Sequence, residues 1–282
     1  MWHKNYDGSP VLYLVPTPIG NMEDMTFRAI KVLKEVEVIF SEDTRVTQNL
    51  LNYFEIRKTL IALHDHNEEI VKDTVLKYLK DGNSVAIVTD RGTPIISDPG
   101  YKTVKYVSDN DFRVVGLPGA CAFVPALIMS GIAPQPFTFY GFLDSKVEKK
   151  KKELEQLKFI EHSIIFYEAP HRIFKTMEMM LEIFGDRQVS LSREISKKFE
   201  SVYRGNISNL LPTLEEIKGE FVVVVEGFKN DILDNEELSI VEQVDFYINN
   251  GMSQMEAIKT VAKEREMKKN DVYAEYHRGG KK

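Results

Sequence analysis

The strongest constraint on the fold is residues 85–100, where the apolar run Val85-Ala86-Ile87-Val88 passes straight into Thr89-Asp90-Arg91-Gly92-Thr93-Pro94-Ile95-Ile96-Ser97-Asp98-Pro99-Gly100. A continuous β-branched run reads as a strand buried on both faces of a parallel sheet. The polar loop then falls at the strand's carboxyl end, where open α/β sheets bind ligands. Gly92 and Gly100 let backbone approach a ligand with no side chain between. Pro94 and Pro99 stiffen the loop and remove two donors, which suits a rigid cradle. A plain surface turn uses the same residue types. Four further strand ends with similar loops favour the cradle.

Those strands are residues 11–15, 38–40, 60–63 and 114–115, each followed by a polar loop and the first three also by a helical pattern. Asn21 is placed to cap the first helix, whose apolar face is Phe27, Ile30, Leu33 and Val36. Strand-helix alternation predicts a parallel sheet covered on both faces. A first α/β domain, residues 1–131, ends at the Pro/Gly-rich joint 130–136. A second α/β domain, 132–230, opens with Phe137-Thr138-Phe139-Tyr140-Gly141-Phe142 and has strands at 163–167, 189–193 and 221–225, spaced as in a mixed sheet. Residues 231–282 form a helical appendage behind an acidic linker of Asp231, Asp234, Glu236 and Glu237, with Gly251-Met252-Ser253 as a helix stop and cap.

A net charge of −6 over 282 residues does not advertise nucleic-acid binding, so any such binding needs a local basic surface. One cysteine, Cys121, excludes an internal disulfide framework and fits a reducing cytoplasm. No apolar run reaches the ~20 residues that span a bilayer, and residues 1–7 lack the apolar centre of a signal peptide. Phosphate-loop, dinucleotide and nucleophile-elbow motifs are absent from the sequence. His64 and His66 share a side of an extended segment, but no third ligand is evident and no metal is expected. Small residues, backbone amides and few cations suit a neutral or zwitterionic ligand at the strand ends, with a second substrate between the domains.

The runs Leu14-Val15-Pro16-Thr17-Pro18-Ile19-Gly20-Asn21-Met22-Glu23-Asp24, Ser41-Glu42-Asp43-Thr44-Arg45 and His64-Asp65-His66-Asn67-Glu68 carry a resemblance. So do residues 90–100, Leu117-Pro118-Gly119, Phe166-Tyr167-Glu168-Ala169-Pro170-His171-Arg172 and residues 219–227. The chain resembles the tetrapyrrole methylase (class III) superfamily, in its branch acting on ribosomal RNA. The resemblance implies two α/β domains with S-adenosylmethionine in the cleft between them, a small helical C-terminal domain and a homodimer. It also implies methylation of a cytidine ribose 2′-hydroxyl in the decoding region of small-subunit (16S) ribosomal RNA. Arg91, where the family usually has a small residue, and Ala120-Cys121, where it has Pro-Ser, depart from the pattern. A local salt bridge is the expected fate of Arg91.

Carried over by position, Asp90, Gly92, Pro94, Ser97, Asp98, Pro118, Gly119, Ala120, Phe166 and Tyr167 are the expected cofactor residues. Arg45, Asn67, His171, Arg172, Arg193, Lys197 and Lys198 are the expected RNA contacts. His64 or Glu168, with Glu42 and Asp43 as further candidates, would take the hydroxyl proton, since a positioned base adds ~10²–10⁴ in rate. For His64 a structural hydrogen-bonded role is the plain alternative. The lysines at 146 and 149–152 read either as a solvated helix face or as phosphate contacts. The tail reads as an RNA clamp or a packing appendage. A tetrapyrrole-type small-molecule methylase and a non-enzymatic RNA-binding module are the rival functions.

Overall fold

The computed structural model describes residues 4, 7–214, 218–229, 239–249 and 252–279. The acidic linker and Gly251 lie outside the described residues, as does most of the 1–7 segment. In the first half, β1 (Val11–Leu14), β2 (Val38–Ser41), β3 (Thr59–Ala62), β4 (Val85–Val88) and β5 (Arg113–Gly116) form a parallel sheet of order β3-β2-β4-β1-β5. Helices α1 (Phe27–Glu35), α2 (Thr44–Tyr53), α3 (Glu68–Lys80) and α4 (Tyr101–Asp109) connect the strands. Alternate residues along the strands feed two apolar clusters. Val11, Ile39, Ala86 and Val88 pack with Leu33 and Leu51, whereas Leu12, Phe40, Val85 and Ile87 pack with Val75, Leu79 and Val107. All four residues of β4 are buried, as a central parallel strand requires.

The start of α1 differs from the sequence reading. Asn21 caps only a 3-10 turn, Met22–Asp24, and Thr26 caps α1 through Ala29 N–H. The buried face is therefore Ala29, Val32 and Leu33, and Phe27 is exposed.

The second sheet, of order β6-β7-β10-β8-β9, is mixed. β6 (Phe137–Phe142) runs parallel to β7 (Ser163–Glu168), while β10 (Phe221–Val225) pairs antiparallel with β7 and β8 (Gln188–Arg193). β9 (Ser201–Asn206) escaped the sequence reading. It is a half-exposed edge strand without an apolar run, registered against β8 from Gln188↔Asn206 to Arg193↔Ser201. Helices α6 (Val147–Leu157) and α7 (Ile173–Phe184) cover one face, joined by the short α8 (Ile207–Leu210). On the other face lies α5 (Phe123–Met129), which precedes the Pro/Gly joint yet packs Ala126 and Leu127 on Ile165, Val222 and Val224.

The chain divides into two compact units, Met1–Phe228 and Lys229–Lys282. Both sheets belong to the first. The second holds α9 (Ile240–Asn249), α10 (Gln254–Glu264) and α11 (Lys269–Gly279) around Val244, Tyr247, Ile258, Val261 and Val272. Ser253 and Glu256 cap α10 reciprocally. No helix among the described residues is long and apolar enough to cross a membrane.

Candidate functional site

The loop that follows β4 is strained as well as rigid. Gly92 and Gly100 take φ of 83° and 122°, and two residues with side chains, Ile95 and Ser97, are also left-handed at 76° and 67°. Such conformations cost of order 1–3 kcal/mol each and persist where surrounding structure enforces them. Here Thr17 and Gly92 exchange backbone hydrogen bonds of 2.9 and 3.0 Å, and Thr93 Oγ1 donates to Ala120 O at 3.0 Å. Gly119 must be glycine in this packing, because a Cβ there would sit 2.6 Å from Pro16 Cβ.

This loop forms one wall of a cavity of about 500 Å3. Ile19, Arg91, Gly92, Thr93, Ile96, Ser97, Asp98, Cys121 and Ala122 line it from the first half. Phe142, Tyr167, Glu168, Ala169, Pro170, His171, Ile195, Glu220, Phe221 and Val222 line it from the second. Gly92, Ser97, Asp98 and Tyr167 are thus brought together as the sequence anticipated. Pro94, Pro118, Gly119 and Ala120 do not line the cavity but shape the backbone behind it. Phe166 points away, because alternate residues of β7 face opposite sides and its ring joins the core beneath α7. Asp90 lines a smaller neighbouring cavity instead. Ile19, Phe142, Ile195 and Val222 were missed, since single apolar residues at strand ends carry no signal separable from core.

Charges across the cavity are arranged unevenly. Burial pushes the Asp98 carboxyl up to about 6; a Thr89 hydrogen bond opposes the shift, and the charges of Glu42, Asp90 and Asp65 add to it. Burial, then the neighbouring Asp90 charge, also raises Glu42, whose Oε2 accepts from Thr89 Oγ1 at 3.2 Å. Tyr167 is pushed well up by burial and by Cys121, so its phenol stays neutral. Arg91 does form a salt bridge, but not a local one: its guanidinium lies 2.6 Å from Glu220 Oε1, joining the two halves at the cavity rim. Lys197 Nζ lies 2.8 Å from the other oxygen of Glu220 and 2.9 Å from Glu194. Arg91 and Glu220 are both mostly exposed, so their pairing contributes at most about 1 kcal/mol.

Glu168 is built into a buried network. Its Oε2 accepts from Lys150 Nζ at 3.1 Å and Thr176 Oγ1 at 2.6 Å, while Oε1 accepts from Ala169 N–H at 2.9 Å and lies 2.8 Å from Arg172 Nε. Arg172 is further held by Leu143 O, at 2.6 Å. Lys150 fits neither reading of the lysine run, a solvated face or a phosphate contact: it is buried, whereas Lys149 is exposed, Lys151 is half-exposed, and they pair with Asp144 and Glu182.

The other anticipated residues are scattered. Asp43 caps α2 and binds the Arg45 guanidinium at 2.6 Å, which holds its carboxyl at about 2. Asn67 spends its amide on His64 N–H and Ala62 O. His64 lines neither cavity, and its Nδ1 is buried without a partner. His171 stands exposed on the cavity wall. Arg193 Nε donates to Lys218 O at 2.5 Å, and the Lys198 ammonium lies over the Phe199 ring.

The family described as Tetrapyrrole (Corrin/Porphyrin) Methylases matches residues 11–211. The chain belongs to the tetrapyrrole methylase family. Its relatives include the Ribosomal RNA small subunit methyltransferase I of Bacillus subtilis, 50% identical over 95% of this chain and 94% of that protein. The protein of the same name from Streptococcus pyogenes serotype M18 is 44% identical over 97% of each chain. Among solved structures, the methyltransferase CobJ aligns with a TM-score of 0.58 at 18% identity, covering 78% of this chain and 94% of that one. Thermus thermophilus uroporphyrin-III-C-methyltransferase aligns at 0.55 and 19%, covering 77% and 94%. At such identities these two speak for the methylase fold alone.

Proposed function

We propose that this methylase transfers a methyl group from S-adenosylmethionine to the ribose 2′-hydroxyl of a cytidine in the decoding region of small-subunit ribosomal RNA. The observation that carries the reading is near-full-length identity of 42–50% to proteins named for small-subunit ribosomal RNA methylation, on a chain whose strand-end loops enclose one cavity. The proposal includes the cytidine, the 2′-oxygen, action in the cytoplasm and a homodimeric enzyme. We likewise take the two sheets as the halves that grip the cofactor, with the C-terminal helices as an appendage.

The cavity fits the cofactor chemically. Its volume suits a nucleoside-sized ligand, and its walls combine apolar faces (Ile19, Ile96, Val222) with few polar groups. Glycine is favoured at 92 because φ is 83° there and a Cβ would press Ile19 Cγ2 at 3.3 Å. S-adenosylmethionine supplies an activated methyl on a sulfonium centre. Asp98 would face that positive charge, and the Ser97 hydroxyl would orient the polar groups. Glu168 has its oxygens occupied by fixed donors, so its role is to hold the Ala169-Pro170-His171 wall. Alignment of the two reactants can supply up to ~7–11 kcal/mol, so rigid walls are themselves catalytic machinery. Of the four proton-acceptor candidates, Glu42 fits best: it lines neither cavity itself but accepts from Thr89, which lines the smaller one, whereas Asp43 is tied to Arg45 and Glu168 is saturated.

Calorimetry with S-adenosylmethionine, and mapping of ribose methylation in small-subunit RNA from cells with and without the gene, test the reading. Binding, and loss of one cytidine modification, are expected; neither occurring overturns it. The charge on Asp98 gives a pH signature. Its raised carboxyl must ionise to meet a cation, so cofactor affinity falls as pH drops through about 6, approaching tenfold per unit. Asp98→Asn binds the cofactor more weakly at pH 8 and without that dependence.

A further inference from the structure

Two motifs that carry the family resemblance, residues 14–24 and 41–45, contribute little to the large cavity. Only Ile19 of these lines it. Thr17, Pro18, Gly20 and Met22 of the first, with Val46 and Thr47 just after the second, line a second cavity of about 230 Å3 beside the loop after β4. The Thr17–Gly92 backbone pair stands between the two, and Arg91 lines both.

The lining of the second cavity is that of a pocket for a flat, polar-edged ring. Pro18, Met22 and Val46 supply apolar surface, and Met22 and Val46 are exposed at its rim. Thr47, only 2% exposed, lines it with a hydroxyl that is buried and has no hydrogen-bond partner. Buried hydroxyls are almost always satisfied, so an orphan in a cavity wall marks a place where a ligand group can bond. Asn49, two residues further along α2 and exposed, offers both an amide donor and an acceptor to the same cavity. Asp90, on the same wall, keeps Oδ1 on Asp43 N–H at 3.0 Å.

The geometry points to the second cavity as a nucleobase pocket that receives the acceptor pyrimidine of the RNA, unstacked from its neighbours, while the cofactor occupies the first cavity. This rests on the function proposed above and adds where the base sits. Enzymes that do chemistry on a base draw it into a snug pocket and read its edge between apolar walls, and the same capture would fix the ribose attached to it. Sequence-specific RNA recognition likewise targets unstacked bases. A base held by Thr47 and Asn49 places its ribose near Thr89, the hydroxyl bonded to Glu42.

The test compares the full chain with Val46→Trp, which fills the rim from an exposed helical position, and Thr47→Val, which removes the hydroxyl at constant shape. Thr47→Val leaves a folded protein, because it trades an unsatisfied buried hydroxyl for a methyl. Both variants should bind S-adenosylmethionine within twofold of the wild type in calorimetry. With unmodified small-subunit particles, kcat/KM should fall about tenfold or more for each. An RNA fragment carrying a fluorescent cytidine analogue at the acceptor position should brighten on binding the wild type and not Val46→Trp. If both variants keep kcat/KM within twofold and the analogue brightens with Val46→Trp, the pocket assignment is overturned and the proposed function stands. If the wild type itself neither binds cofactor nor methylates, both fall.

Discussion

Lys150→Met is expected to destabilise the protein by about 3 kcal/mol, whereas Lys151→Met next to it changes stability by less than about 0.5 kcal/mol. The two lysines are chemically identical and adjacent on α6. Lys150 is 5% exposed and its partner Glu168 1%, while Lys151 and Glu182 sit 40% and 63% exposed. Removing one member of a buried pair leaves the other charge uncompensated and typically costs 3–5 kcal/mol. Arg172 remains beside Glu168, which places the expected loss at the low end. Urea denaturation checks the values. Lys150→Met with Glu168→Gln should recover part of the loss, because the stranded charge is then gone. Cofactor affinity should fall in the single variant too, since Glu168 begins the Glu168-Ala169-Pro170-His171 wall of the cavity. A loss of under about 1 kcal/mol would mean that the buried pair does not anchor this wall.

That pair also marks what the sequence can tell. Read as composition, 149–152 is a lysine run; read by helical phase, Lys150, Leu154 and Leu157 lie at i, i+4 and i+7 on one buried face. The signal for burial was present, but the pairing with Glu168 was not, because it depends on how β7 and α6 meet. The parallel sheet was legible because buried strands such as Val85-Ala86-Ile87-Val88 leave a continuous apolar run. β9 was not, because an exposed edge strand such as Ser201–Asn206 needs no such run. Loop residues at strand ends could be placed near a site, and Gly92, Ser97, Asp98 and Tyr167 do meet there. Which residues of a loop face the cavity depends on backbone turns such as those at Ile95 and Ser97, and no pattern in the sequence records them. Asn67 illustrates the converse: a polar residue in a conspicuous motif, used to fasten its own loop.

Glu42→Gln is expected to lower kcat by about 10²–10⁴-fold with little change in cofactor affinity. A ribose hydroxyl is a poor nucleophile until its proton leaves, and Glu42 sits one hydrogen bond behind Thr89 on the wall of the second cavity. Burial and the nearby Asp90 raise its proton affinity, which brings the carboxylate closer to the basicity that proton removal at neutral pH demands. The pH profile carries the sign. A base must be ionised, so wild-type kcat falls as pH drops through the raised Glu42 value, and Glu42→Gln has no such limb. Stability moves the opposite way. A carboxyl raised in the folded state favours folding at pH below its unfolded value of 4.5, and loses that contribution as pH rises through the folded one. Glutamine never ionises, so the variant should be more stable than the wild type at pH 8 while being slower. Because the Glu42 charge helps to raise Asp98, the substitution should also lower the pH at which cofactor binding weakens. A variant that keeps kcat within about threefold, with the acid limb intact, would hand the proton to solvent and leave catalysis to alignment alone.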